Sequence, residues 1–196
     1  MSFFDYFIEQ SIKPKGQIGR VMLKIMNTVH KRIFIFGIEN IDVFADSKLL
    51  DLGFGGGMAL KLLSEKFNHV KLFGIDFSEE ALITGTKNNK KDIESGKITL
   101  LQADIEKIPF PDYYFDIITA FQTHYHWQDL NNKVKEIYRV LSENGQFIIV
   151  AEKYKINYHM EMYKTENDLK QLFFDIGFKN IKYKETKYNM FIKGIK

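Results

Sequence analysis

Leu49-Leu50-Asp51-Leu52-Gly53-Phe54-Gly55-Gly56-Gly57-Met58 is the stretch that decides how this chain folds. An apolar run ends in a cluster of glycines, and Ala59, Leu62, Leu63 and Phe67 then continue at helical spacing. Glycine is required where a backbone must turn tightly and come close to a ligand. The free N–H groups at a helix start can then meet a carboxylate or phosphate. The telling glycines are Gly53, Gly55 and Gly57. A dinucleotide fingerprint places its third glycine five positions after the first, and that position here is Met58. The spacing suits a methionine-type cofactor better than a pyrophosphate. A merely flexible strand-to-helix turn is the other reading of the same residues.

Outward from this turn the pattern alternates. Val70 to Ile75 reads as a strand ending at Asp76, and a helix is expected from about Glu79 to Asn89. Ile98 to Leu101 is a third strand, followed by the loop Ile108-Pro109-Phe110-Pro111-Asp112. Phe115 to Phe121 is a fourth. Leu130, Val134, Ile137, Tyr138 and Leu141 form a helical face before Asn144-Gly145 turns into the strand Gln146 to Ala151. Strands alternating with helices predict a parallel sheet covered on both faces. The tail departs from that rhythm. Thr165 caps a helix carrying Leu169, Leu172, Phe173 and Ile176, with Gly177 at its end. Phe178 to Glu185 and Met190 to Ile195 follow with only Lys187-Tyr188-Asn189 between them. The expected fold is therefore α/β: a doubly wound, mostly parallel seven-stranded sheet ending in an antiparallel hairpin.

Ahead of the sheet, Ile18, Met22, Ile25, Val29, Ile33 and Phe36 lie on one helical face. Pro14-Lys15-Gly16 precedes it and Gly37 is a plausible stop. Residues 1–45 are expected to form an N-terminal helical segment or lid, and 46–196 the cofactor-binding domain. With no cysteine among 196 residues, disulfides, thiolate nucleophiles and Cys-ligated zinc are excluded. A net charge of +3 reads as a solvated basic face rather than a nucleic-acid footprint. Met1-Ser2-Phe3-Phe4-Asp5-Tyr6 lacks the marks of a signal peptide. The run Ile33 to Phe44 is too short to span a bilayer. A cytoplasmic protein with no membrane insertion is expected.

Two later strand ends carry acids. Asp76 is placed to accept hydrogen bonds from both hydroxyls of a ribose, and Asp104 from an exocyclic adenine amine with Ile105 against the ring. Residues 48 to 152 thus resemble a class I S-adenosylmethionine-dependent methyltransferase. The tail helix with Gly177-Phe178, the run from Ile108 to Ile118 and Glu136 to Leu141 before Asn144-Gly145 carry the same likeness. The set is similar to the small-molecule branch that includes quinone-biosynthesis methyltransferases. The resemblance implies that Gly53, Gly55 and Gly57 form the cofactor loop, and that Asp76 is the ribose acid. It implies adenine contacts from Asp104 and Ile105, and a place for Phe121 at the methionine end. Asp51 and Phe77 complete the implied cofactor set. Phe54 departs from the family pattern, which often has a small residue or cysteine there. Lys13-Pro14-Lys15-Gly16, Gly19-Arg20, Met26-Asn27 and His30 resemble the lead-in of a bacterial subgroup. That subgroup also has an aromatic–Trp pair like Tyr125-His126-Trp127, followed by proline where this chain has Gln128.

The implied reaction is methyl transfer from S-adenosylmethionine to a small-molecule acceptor by in-line displacement, with S-adenosylhomocysteine as product. The loop after the fourth strand, Gln122-Thr123-His124-Tyr125-His126-Trp127, leaves the sheet at the reactive end. Gln122, Tyr125, His126 and, from the N-terminal helix, His30 are the candidate acceptor-site residues. Each histidine reads as either a base or a packing residue. No metal is expected, because no third ligand has suitable spacing. Ala120-Phe121-Gln122-Thr123 stands where amide-nitrogen methyltransferases often carry Asn/Asp-Pro-Pro-Tyr/Phe, which removes positive evidence for nucleic-acid or protein substrates. The alternatives are a nicotinamide-dependent oxidoreductase, which Met58 and the tail hairpin oppose, and a non-catalytic module that keeps the cofactor pocket.

Overall fold

A computed structural model describes residues 16–196. Residues 1–15, which include Lys13-Pro14-Lys15 and the first third of the 1–45 segment, lie outside the described residues. Two helices, α1 (Gly16–Val29) and α2 (Lys31–Ile38), precede β1 (Lys48–Leu52), α3 (Met58–Lys66), β2 (Lys71–Asp76), α4 (Glu79–Asn88) and the short α5 (Lys90–Glu94). Then come β3 (Ile98–Gln102), β4 (Phe115–Phe121), α6 (Leu130–Val140), β5 (Leu141–Glu152) and α7 (Lys153–His159). The chain closes with α8 (Glu166–Ile176), β6 (Lys179–Glu185) and β7 (Asn189–Ile195). Single 3-10 turns occupy Ile105–Lys107 and His124–His126.

The seven strands form one sheet in the order β3-β2-β1-β4-β5-β7-β6. Pairing is parallel from β3 through β5 and antiparallel at β5–β7 and β7–β6, as the alternation and the helix-free tail predict. From β1 the chain winds outward to β2 and β3, and β4 returns to the other flank of β1. That reversal opens a crevice at the carboxyl ends of the central strands.

Period-two alternation sends neighbouring residues to opposite faces. Leu50, Ile118 and Ile149 face α6 and α8, packing with Val134, Ile137, Leu169 and Phe173. Leu49, Ile117 and Ile148 face the other layer, with Leu60 and Leu63 of α3 and Ile33, Phe34 and Ile38 of α2. Both faces are covered, so the central strands are apolar throughout rather than every second residue.

The structure departs from the sequence expectation in three places. A turn at His30 splits the N-terminal helix in two. Its buried side is not the isoleucine stripe: Ile18, Ile25 and Val29 are 47%, 50% and 64% exposed, while Leu23, Asn27 and His30 point inward. Asn27 and His30 each gain a hydrogen-bonding partner by turning in, and such tertiary contacts override a hydrophobic pattern. Second, β5 starts at Leu141, with a register irregularity ahead of Gln146 and Asn144 in a left-handed conformation. Third, α7 follows β5 directly. It buries Ile156 and no other side chain, so it has no apolar period to betray it. No helix among the described residues is long and apolar enough to cross a membrane.

Gly37 lets α2 settle onto β4 and β5. A Cβ there would run into Phe121 Cε1 and lie 2.8 Å from Val150 Cγ2. Both neighbours are buried, so neither yields cheaply. Gly37→Val is expected to lower unfolding free energy by roughly 1–3 kcal/mol through overpacking, which urea denaturation measures.

Candidate active site

The glycine turn after β1 has the conformations its residues suggest. Gly53, Gly55 and Gly57 have φ of 67°, 52° and 76°, a left-handed region that costs other L-residues roughly 1–2 kcal/mol each. Gly53 N–H donates to Ile75 O at 2.8 Å, and Gly57 caps the start of α3. Three asparagines grip the turn from outside. Asn27 of α1 and Asn88 of α4 donate to Gly56 O at 3.1 and 2.8 Å, and Asn89 donates to Gly57 O at 3.1 Å. A side chain at Gly56 would collide with the Asn27 amide. Asn27 belongs to the lead-in named above, whereas Asn88 and Asn89 escape sequence reasoning because they act across 32 residues with no local motif.

Asp76 ends β2 and ties it to the turn. Its carboxylate accepts the Gly55 N–H and the Ser78 N–H, both at 2.9 Å. Burial raises its pKa, and these two bonds oppose the rise. Asp51 is 1% exposed and accepts a 2.8 Å bond from Thr119 Oγ1 on β4. Burial pushes it up to about 7, the Thr119 bond opposes, and the Asp76 charge adds to the rise. Asp51 does not line the cleft.

The cleft, about 280 Å³, runs along the carboxyl ends of the strands. At one end lie Gly53, Gly55, Asp76, Phe77, Asp104 and Ile105. Asp104 caps its own 3-10 turn, accepting the Glu106 N–H at 2.9 Å. Lys133 of α6 reaches the same place, with Nζ 2.8 Å from Glu106 and 3.4 Å from Asp104. This nearly buried lysine sits one residue from Val134 in the helical pattern and carries no sequence signal. Phe77 is 42% exposed at the rim. The Phe54 ring packs where Gly74 and Gly85 leave room, since a Cβ at either would lie 2.8 or 2.7 Å from it.

At the other end lie Leu23, Met26, Asn27 and His30 of α1 and its turn, opposite Phe121, Gln122, His126 and Trp127. Phe121 meets Phe34 edge to face at 5.6 Å. Gln122 takes a positive φ of 56° and spends its amide on Glu152: Nε2 donates to Oε2 at 2.6 Å, and Oε1 accepts the Glu152 N–H at 2.8 Å. Its side chain is thus an anchor rather than a free acceptor contact. Tyr125 lies outside the cleft, buried and stacked on His159 at 5.4 Å, with the His126 ring edge-on against it at 4.5 Å. Burial lowers the pKa of His30, His124 and His126 to about 3, with Lys155 contributing at His30 and His159, Lys155 and His124 at His126. All three are neutral near pH 7. His124 is fully buried, with neither ring nitrogen partnered among the described residues. The described residues contain no group of three His, Cys, Asp or Glu positioned to hold a metal ion.

The residues at the first end fit an adenosyl amino acid. Asp76 keeps an uncommitted lone pair on each oxygen for hydroxyl donors, left-handed glycines bring backbone to the cleft floor, and Ile105 and Phe77 offer apolar surface. A family model described as a methyltransferase domain matches residues 50–149. This chain belongs to that methyltransferase family. The methyltransferase is 27% identical over 166 residues to methyltransferase YdaC of Bacillus subtilis, covering 81% of this chain and 90% of YdaC. It is 30% identical over 141 residues to the ubiquinone/menaquinone biosynthesis C-methyltransferase UbiE of Citrifermentans bemidjiense, covering 71% of this chain and 59% of that protein. The fold is shared with a SAM-dependent methyltransferase from Aquifex aeolicus, at a TM-score of 0.72, 19% identity, and coverage of 90% of this chain and 97% of that one. The methyltransferase is therefore an S-adenosylmethionine-dependent enzyme.

The raised pKa of Asp51 makes ligand-free stability depend on pH. The folded state binds this proton more tightly than the unfolded chain, so its contribution is complete below the ordinary carboxylate pKa and is lost as pH rises through about 7. Asp51→Asn removes the loss. The variant is expected to melt above the wild type at pH 8, with the gap closing toward pH 5, in ligand-free thermal scans.

Proposed function

We propose that the enzyme transfers the methyl group to a small molecule held between α1 and the loop after β4. The observation that supports this reading is one continuous cleft. Its first end carries the glycine turn and two acid-bearing strand ends, at Asp76 and Asp104, and its second is walled by Met26, Phe34, Phe121 and Trp127. When bound, the sulfonium supplies an already activated methyl group. The protein then has to align donor and nucleophile and keep water out.

In this reading Asp76 receives the ribose hydroxyls, the loop Asp104-Ile105 borders adenine, and Gly53 and Gly55 let backbone reach the amino-acid part. Asp51, behind the turn, provides negative potential towards the ammonium. Residues 16–45 act as the lid: α1 supplies one wall of the acceptor end, and α2 braces Phe121 through Phe34. The acceptor is small and in part apolar, because aromatic and aliphatic side chains make up most of that wall. A general base is required only if the attacking atom must shed a proton, and the neutral imidazoles of His30 and His126 border the cleft. The C-methyltransferase activity of UbiE belongs to a protein of which this chain spans 59%, and it supports a small-molecule acceptor here.

Isothermal titration with S-adenosylmethionine and S-adenosylhomocysteine tests the reading. Both are expected to bind at one site, and Asp76→Ala is expected to weaken both by tenfold or more, on the order of the 1.5–3 kcal/mol of a charged hydrogen bond. Unchanged affinity in that variant would remove the ribose contact. Saturable binding of NADH in place of both would reverse the assignment.

A further inference from the structure

Resting on the acceptor end proposed above, we infer that Lys155 fixes His30 as a hydrogen-bond donor to the acceptor, so that this enzyme favours acceptors presenting an electron-rich oxygen at that point. Lys155 stands on α7, partly buried, with Nζ 2.8 Å from His30 Nε2. An ammonium has three donors and no lone pair, so Nε2 must be the accepting nitrogen. A neutral imidazole that accepts at Nε2 carries its proton on Nδ1. Glu152 holds the arrangement in place. Its Oε2 lies 3.6 Å from Lys155 Nζ and takes the Gln122 amide at 2.6 Å.

A His30 imidazolium paired with Glu152 is the competing state, and the geometry opposes it. The carboxylate is 3.8 Å from Nε2, farther than the lysine, and protonation would set two donors face to face. Burial and the lysine charge both favour the neutral ring. His30 Nδ1 has no hydrogen-bond partner among the described residues, although the residue is 95% buried and borders the cleft. A donor in that position is left for a ligand. The cation behind Nε2 polarises the ring and strengthens donation from Nδ1.

Three consequences follow for the acceptor. His30 does not remove a proton, because its only basic nitrogen is occupied. A carbonyl, enolate or phenolate oxygen is favoured against it. An ammonium-bearing acceptor is disfavoured, since Glu152, 3.8 Å from His30, is already committed to Lys155 and Gln122. Lys155 is thus a positioning residue acting through His30.

Two measurements test this. In imidazole-15N-labelled protein, with His30 assigned by His30→Gln, long-range 1H–15N correlation at pH 7.5 is expected to show the Nδ1–H form. Lys155→Met is expected to release it toward Nε2–H, and Lys155→Arg, which keeps the donors, to restore it. Binding of 4-nitrophenolate to the protein saturated with S-adenosylhomocysteine, read by its absorbance, is expected to weaken roughly tenfold in Lys155→Met through loss of one charge-assisted bond. Affinity for S-adenosylhomocysteine should persist in that variant and report that it is folded. An Nε2–H ring or an imidazolium in the wild type overturns the inference, as does equal nitrophenolate binding by wild type and Lys155→Met. Failure of the wild type to bind S-adenosylhomocysteine would instead overturn the proposed function, since the ring's protonation is read without cofactor.

Discussion

The bond from the Gly55 N–H to the Asp76 carboxylate joins the end of one strand to the turn that follows its neighbour, at 2.9 Å. The cofactor end is organised around it. It holds the turn open beside β2, and it fixes the orientation of the carboxylate that faces the cleft. Neither partner is optional: an L-side chain at Gly55 is strained at φ 52°, and a buried carboxylate without backbone donors would carry its full desolvation cost. The three asparagine amides on the carbonyls of Gly56 and Gly57 work in the same sense, since they use up the turn's acceptors from outside.

Such tension between stability and chemistry is visible in the two buried acids. Among the described residues Thr119 alone has a side chain that donates to Asp51, and Asp76 sits near enough to raise it further. Two carboxylates taken from water without a lysine or arginine as partner are a poor way to stabilise a fold. They are a good way to prepare a site for a cation, and the sulfonium and ammonium of the donor are both cationic. The basic partners that the structure does supply, Lys133 and Lys155, stand at the two ends of the cleft rather than at its centre.

How much of this was legible follows from the range of each interaction. Leu49 to Leu52, Phe115 to Phe121 and the paired tail strands announce themselves by local composition, so the parallel sheet and its antiparallel end could be anticipated. Asp76 could be found because it closes an apolar strand. Asn88, Asn89 and Lys133 could not, because each is an ordinary polar residue in a helix or at its end until a distant loop folds against it. The stripe Ile18, Ile25, Val29 misled for the opposite reason. Periodicity says which residues share a face but not which face turns inward. Here Asn27 and His30 have partners at Gly56 and Lys155, and those partners decide the rotation of α1. Tyr125 and His126 show the same limit within one 3-10 turn, where two rings in edge contact divide between the buried interior and the cleft.

The placement of β7 has a further consequence for how the chain is made. Although it is the last strand of the described chain, it lies inside the sheet, hydrogen-bonded to β5 on one side and β6 on the other. A chain emerging from the ribosome therefore holds the whole parallel half of the sheet before residues 189–195 exist to cover the edge of β5. During that interval Gln146 to Glu152 present a row of unpaired amides along an almost wholly apolar strand, the kind of edge on which chains self-associate. Nascent-chain handling, not only the finished structure, thus bears on how this enzyme reaches its active form.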